Sequence, residues 1–368
     1  RSANAIGVFG SDSQIPMSLT IARRIVFSAA HRLWNPRWDN TRNLETYGQS
    51  RSHGHNFDLW VYFSGVIDPQ SGMVQHLSDI GNRLKDWIES EYDHRDLNTL
   101  GQLAHTAPTL EVIATAMLGQ VRALFAGYPA TPVALTLIES PATQAHVTLL
   151  DVARTWRIFP ESGPIQFFAF EWMGVPDTDS GVLLTKKQRG RYMDELLSTL
   201  PASLEFDRYA DRFGQWFETH HTRWGLTVAK ARFRNGMGVR VKNGCLETFF
   251  EWEFSAIHQL SHPALSPTEC ESLFGKCART HGHRFRLKMV ADGIVSSGPW
   301  RHLQDELYAD MAEGNLNLWL ENQNGHPTLA TIENLVTALR RWTEQRLPLV
   351  ELRLDETENN ACEWRKPS

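Results

Sequence analysis

Five short blocks occur twice in this chain, in the same order, and that repeat limits the possible folds more than any single motif does. The first set is IVFSAAHRL (25–33), YGQSRSHGHNF (47–57), SGMVQHLSDI (71–80), APTLEVIA (107–114) and LTLIES (135–140). The second is FEWEFSAIHQL (250–260), FGKCARTHGHRF (274–285), SGPWRHLQDEL (297–307), LATIENLV (329–336) and LRLDET (352–357). A chain of 368 residues has room for more than one core, so each set is read as one domain.

Within each copy the residues after the His-Gly-His alternate apolar and polar, FDLWVYFSG and FRLKMVADG, which suits strands with one buried face. Amphipathic stretches follow; in the first copy they lie near 76–91 and 110–125, with Val112, Ile113, Ala116, Met117 and Val121 at near-helical spacing. Each copy closes on a strand. The order strand, strand, helix, helix, strand, strand predicts an α+β domain, an antiparallel sheet with two helices on one face.

The expected organisation is a leader or expression remnant (1–17), a first repeat (18–155), an unassigned middle segment (156–246) and a second repeat (247–368). The middle segment matches neither copy and is too apolar for a flexible linker. It contains a hairpin around IQFFAFEWMG, helices over KKQRGRYMDELLSTL and EFDRYADRFGQWFETHH, and a strand in RNGMGVRVKNG. It reads either as a covering subdomain or as an elaborated edge of the sheet. Its neighbouring His220 and His221 diverge on a helix and are not expected to share a metal.

The net charge of -5 argues against a nucleic-acid partner, and Lys186, Lys187, Arg189 and Arg191 read as a solvated helix face. No apolar run approaches the roughly 20 residues that cross a bilayer, so no membrane role is expected. The four cysteines form no CxxC pair and no disulfide framework, which suits a reducing, cytoplasmic setting.

In a strand, residues i and i+2 share a face, so His281 and His283 can offer two imidazoles to one ion. His258, ending the preceding strand, supplies a third if the two strands pair. Three His ligands leave a tetrahedral Zn2+ with an open position, the arrangement of a catalytic site. His31, His53 and His55 repeat the pattern in the first copy.

Cys277 stands four residues before His281, where positive charge on a bound metal favours its thiolate and suits it to removing a proton. The first copy has Gln49 or Ser50 at that place, depending on the alignment. It has instead EYDHRDLN, in which Asp93 can orient His94 as a proton relay. The second copy has no such pair: the corresponding residues are Trp319 and Leu320, or Ala312 and Glu313 if LN is matched to LN.

FSAAH, CxxxHGH, IDPQSGMV, DHRDLN, PTLE and the final Glu together resemble the 6-pyruvoyltetrahydropterin and 6-carboxytetrahydropterin synthase family, over about 18–155 and 247–365. The resemblance implies two tandem tunnelling-fold domains and a zinc-dependent lyase that takes 7,8-dihydroneopterin triphosphate and eliminates triphosphate. It implies zinc on His258, His281 and His283, and on His31, His53 and His55, with Cys277 as base and Asp93–His94 as relay. Glu139 and Glu356 match its pterin-anchoring Glu, which accepts two parallel donors from the ring. Thr109, Glu111, Thr331 and Glu333 match the pocket segment beside it. Arg51, Lys276 and Arg279 are candidate cations for the triphosphate by their nearness in sequence.

The CxxxHGH spacing and IDPQSG lean toward the bacterial carboxy-type enzyme of queuosine biosynthesis. Family pockets form between subunits, and here Cys and Asp-His survive in different copies. The expectation is therefore a composite site between unlike repeats, in a homotrimer that supplies six domains. The alternatives are a pterin-binding scaffold without turnover and an enzyme of altered pterin chemistry.

Overall fold

The computed structural model describes residues 19–48, 51–149, 153–160, 164–201, 205–242, 244–261 and 264–367. The leader and the positions of Gln49 and Ser50 lie outside the described residues.

The first repeat runs β1 (Leu19–His31), α1 (Asn40–Tyr47), β2 (His53–Ser64), α2 (Leu77–Glu91), the two-residue β3 (Arg95–Asp96), α3 (Leu110–Leu124), β4 (Thr131–Ser140) and β5 (Thr143–Thr148). The middle segment runs β6 (Ala153–Pro160), β7 (Ile165–Gly174), α4 (Lys186–Thr199), α5 (Phe206–Trp224), β8 (Val228–Phe233) and β9 (Met237–Lys242). The second repeat runs β10 (Cys245–His258), α6 (Pro267–Phe274), β11 (His281–Asp292), α7 (Ser297–Met311), α8 (Leu316–Asn324), α9 (Ile332–Glu344), β12 (Leu349–Asp355) and β13 (Asn360–Arg365).

The middle segment is thus neither a covering subdomain nor an edge elaboration. It repeats the order strand, strand, helix, helix, strand, strand, and its four strands enter the same sheet. IQFFAFEWMG is one strand and not a hairpin, because it has no turn residues and pairs along its length with β6 on one side and β8 on the other. The sheet order is β1, β2, β4, β5, β6, β7, β8, β9, β10, β11, β12, β13, and β13 pairs back onto β1 (Ile21 opposite Cys362). Every neighbouring pair in this ring is antiparallel, so one chain closes a barrel and leaves no free edge there.

Helices cover the outer face. In α9 the buried Ile332, Leu335, Val336 and Leu339 recur at helical spacing and share one core with Leu352, Leu354 and Trp364 of β12 and β13. Each such side chain contributes about 1.5–3 kcal/mol of burial. Thr331 caps the helix by accepting from the Asn334 amide. The inner face lines a cavity of about 570 Å3 in which cations outnumber carboxylates: Arg154, Lys230, Arg240, Lys242, Lys288, Arg353 and Arg365 stand with Glu171, Glu351 and Glu363, and Arg240 and Lys288 lie 2.8 and 2.7 Å from Glu351. No helix of the described residues is long and apolar enough to cross a membrane.

Candidate metal centres at the junctions between units

Strand pairing sets the His geometry. His258 ends β10 opposite His281, which starts β11, and His283 follows on the same face opposite Ala256. The first repeat has the same register, His31 opposite His53 and Ala29 opposite His55. Ring centroids are 4.4, 5.3 and 4.9 Å apart in one triad and 4.5, 5.3 and 4.8 Å in the other.

Backbone carbonyls fix the tautomers. His258 Nδ1 lies 2.9 Å from Ala330 O and His281 Nδ1 2.7 Å from Arg279 O; His31 and His53 meet Pro108 O and Arg51 O at 2.9 and 3.1 Å. A carbonyl only accepts, so Nδ1 carries the proton and Nε2 keeps its lone pair. Nε2 of His31, His55 and His258 is buried with no hydrogen-bond partner among the described residues. Burial lowers the pKa of His31 to about 4 and also lowers His55, His258 and His283, which keeps these rings in the neutral, ligating form. Unpartnered inward nitrogens on oriented rings fit a zinc ion in each triad.

A carboxylate approaches each triad. Glu139 Oε1 is 3.1 Å from His55 Nε2 without hydrogen-bond direction, and Glu356 Oε1 is 3.5 Å from His258 Nε2. Such spacings match the ~3.3 Å edge of a tetrahedron with ~2.0 Å metal bonds. His31, His53, His55 and Glu139 form a group of four possible ligands within 4.8 Å of one another; His258, His281 and His283 form a group of three.

Each triad lies where one unit meets the next. At the second-repeat triad, the loop 67–74 arrives across the β13–β1 seam: Thr331 donates to Gly72 O (2.8 Å), and the Val74 amide donates to buried Glu333 (3.1 Å). Met73 joins the small cluster of Leu260, Cys270, Phe274 and Leu329 against which Cys277 packs. At the first-repeat triad the loop comes from the middle segment, and Thr109 donates to Gly181 O (2.6 Å). The third junction keeps only the frame. There the Ser297 amide and hydroxyl bind Asp207, two residues after the α5 N-cap as Glu111 and Glu333 are after theirs, while β6 ends in IFP and β7 begins IQF, without His.

Sequence reasoning missed the role of Gly72, Met73 and Val74 as a wall of the second-repeat pocket. The signal was a Ser-Gly pair at or just ahead of the helix pair in each unit, as SGMV, SGVL and SGPW.

Cys277 is half-buried in the turn after α6. Burial and Glu356 push its thiol up and Lys276 pulls it down, so the protein's own groups favour the thiol, and the expected lowering needs a bound cation. Arg279 pairs with Glu271, while Lys276 makes no ion pair among the described residues and its charge acts on Cys277 and His283. Arg51 is exposed.

Asp93 and His94 do meet: Oδ2 to Nδ1 is 2.9 Å, and the Ser28 amide donates to Asp93 Oδ1 (2.8 Å), the main reason its carboxyl titrates low. His94 sits at φ 56, its amide donating to Ser28 O (2.6 Å), and its side chain is 82% exposed. Glu313 repeats that geometry, with φ 55 and its amide 2.6 Å from Ser255 O. The LN-to-LN alignment is therefore the right one, and Ala312 and Glu313 replace the pair; Trp319 and Leu320 are core residues of α8.

The predicted solvated face of α4 is only partly so. Lys186, Lys187 and Arg191 are exposed, but Arg189 is half-buried, and burial lowers its pKa against the opposing pull of Glu111 and Glu139.

The family model described as 6-pyruvoyl tetrahydropterin synthase matches residues 20–149 and 247–367, more than half of the chain. The chain belongs to that family. Both matched regions of this 6-pyruvoyl tetrahydropterin synthase family member carry a His triad, and the middle unit is outside them. The chain is similar to the 6-pyruvoyl tetrahydrobiopterin synthase of Homo sapiens, 37% identical over 81 residues, which are 21% of this chain and 56% of that one. It therefore spans little more than half the length of that curated relative. It is also similar to the Drosophila melanogaster protein, 32% identical over 114 residues, 30% of this chain and 67% of that one. Among solved structures, Caenorhabditis elegans 6-pyruvoyl tetrahydropterin synthase is 29% identical with TM-score 0.34, covering 37% of this chain and 99% of its own.

Proposed function

We propose that the chain is a zinc-dependent lyase that acts on 7,8-dihydroneopterin triphosphate, losing triphosphate to give a 6-pyruvoyl-tetrahydropterin or losing triphosphate and a two-carbon aldehyde to give a 6-carboxy-tetrahydropterin. The working site is the second-repeat junction. The observation that carries this reading is the convergence there of three inward imidazoles, Glu356 and Cys277 under the loop 67–74. The first-repeat junction lacks the Cys277 counterpart described by sequence.

Glu356 accepts the two parallel N–H donors on a pterin's guanidine-like edge. Zinc held by His258, His281 and His283 would polarise side-chain oxygens of the substrate and acidify the neighbouring carbon. Cys277 takes the proton, its thiolate favoured by Lys276 and by that charge. Asp93 orients His94, whose exposed ring moves a proton at Nε2 on the other side of the substrate.

Within one chain His94 is held at Ser28 O, on the strand that carries His31 of the other triad, so the composite site draws its His94 from a second chain. One chain closes the barrel, so two chains supply six units, and two replace the three expected from a two-domain count.

The test is triphosphate release by zinc-loaded wild type, Cys277→Ala, His94→Ala and an equimolar mixture of the variants unfolded and reassembled together. Each variant should lose at least ~100-fold. The mixture should recover about a quarter of wild-type activity, since half of randomly paired dimers are mixed and each mixed dimer has one complete site of two. A mixture no better than its components refutes the two-chain site. A wild type that binds zinc and neopterin without turnover makes the chain a pterin-binding protein.

A further inference from the structure

The barrel has two unlike ends. β1 and β10 finish, and β2 and β11 begin, at the rim that holds the histidines, so by antiparallel alternation β9 and β13 finish, and β6 and β12 begin, at the opposite rim. Side chains alternate across a strand, which puts His281 and His283 on the helix-covered face and Lys288 on the inner one. The lumen at the far rim is therefore separate from both metal centres, by face and by end.

Cations crowd that far end. Arg154 stands second in β6, Lys242 last in β9 and Arg365 last in β13, and all three line the cavity of about 570 Å3. They are three, four and five strands apart around the ring, so they surround its axis. The carboxylates nearby are already divided. Glu351 lies 2.8 Å from Arg240, 2.7 Å from Lys288 and 3.8 Å from Arg365, and Glu363 pairs with both Arg365 and Arg353. Arg154 and Lys242 make no ion pair among the described residues; the Glu171 carboxyl, on which both act, accepts from Thr227 Oγ1 at 3.1 Å and is pushed up by burial. Neighbouring groups feel the excess. Burial first, then Arg365 and Arg154, push His146 down to about 3, and burial, Arg240 and Arg365 lower Lys242.

Like charges held around one buried space repel, and an anion carrying several charges relieves all of them at once. Guanidinium forks and an ammonium match phosphate oxygens. The aromatic rings of the wall already carry cations, Arg353 4.9 Å over Trp60 and Lys230 5.2 Å over Phe167, so the lumen offers charge in place of a bare stacking face. Its volume lies within the roughly 300–1,000 Å3 of small-ligand sites.

We infer that the far end of the lumen is a binding site for a multivalent oxyanion of the phosphate class, held between Arg154, Lys242 and Arg365. The site does not depend on the pterin reading of the triads.

The experiment is calorimetric titration of inorganic triphosphate into the zinc-free full chain at low salt. Wild type should bind one triphosphate per chain, and orthophosphate at least ~10-fold more weakly. Lys242→Met and Arg154→Met should each weaken the triphosphate Kd at least ~10-fold, while Lys276→Ala, beside the second-repeat triad, leaves it unchanged. Triphosphate should also raise the wild-type Tm, and raise it less in both lumen variants. Lys242→Gln replaces Lys242→Met if the latter fails to fold by circular dichroism. No binding, equal affinity for orthophosphate, or binding that Lys276→Ala removes and the lumen variants keep, overturns the site. A wild type that binds triphosphate in the lumen without turning over dihydroneopterin triphosphate refutes the lyase reading alone.

Discussion

Glu333 offers a measurable test of how the second-repeat pocket is built. Its carboxyl is 2% exposed, accepts the Val74 amide at 3.1 Å, and is pushed up to about 7 from 4.5, first by burial and then by Glu356. Each unit between the two values is worth about 1.4 kcal/mol, so the full difference is ~3 kcal/mol, with no discount for solvent at a fully buried group. The raised value means the folded chain holds a proton that the unfolded chain releases. This contribution to stability is fully present below about pH 4.5 and is lost as pH rises through about 7. Glu333→Gln keeps the shape and an acceptor for Val74 but cannot ionise. In guanidinium denaturation of zinc-free protein, the variant should gain ~3 kcal/mol on wild type between pH 4 and pH 8. A difference between the two proteins that stays constant over that range refutes the reasoning and means that Glu333 is already ionised in the fold.

Three further outcomes are expected. His31→Ala and His258→Ala should each lower zinc content by one ion per chain in emission spectrometry, and only His258→Ala should abolish turnover. Gly72→Ala, at φ 67 and with Asn334 Nδ2 2.7 Å from the new Cβ, should cost ~1–2 kcal/mol in thermal unfolding and weaken neopterin binding. Trp300, fully buried in the core and stacked on Phe250, should cost ~3–5 kcal/mol when changed to Ala, with zinc content unchanged in the folded fraction.

The parts legible in the sequence were those where one local rule decides. Alternation in a strand puts His281 and His283 on one face, and the repeated upstream His258 and His31 needed only antiparallel pairing to complete each triad. Thr109 and Thr331, which the motifs marked only as part of a pocket segment, cap α3 and α9. The middle unit was not legible because it carries no His-Gly-His and matches the repeated blocks only in SGVL. Arg189 was read with its neighbours as one solvated face, and nothing local reports that α4 of the middle unit packs beside α1 of the first repeat. Asp93 and His94 were recognised as a pair, but that Glu313 occupies the same strained backbone place in the second repeat is a tertiary fact.

The barrel closed by a single chain has a consequence for inheritance. In a ring of identical subunits every substitution appears at all of the junctions at once, so a change that improves one damages the rest equally. Here the three junctions are encoded separately, and they differ from one another: one carries a thiol beside its triad, one a fourth possible metal ligand, one no histidine at all among its strand ends. A mutation can therefore specialise one junction while the other two continue to hold the ring together.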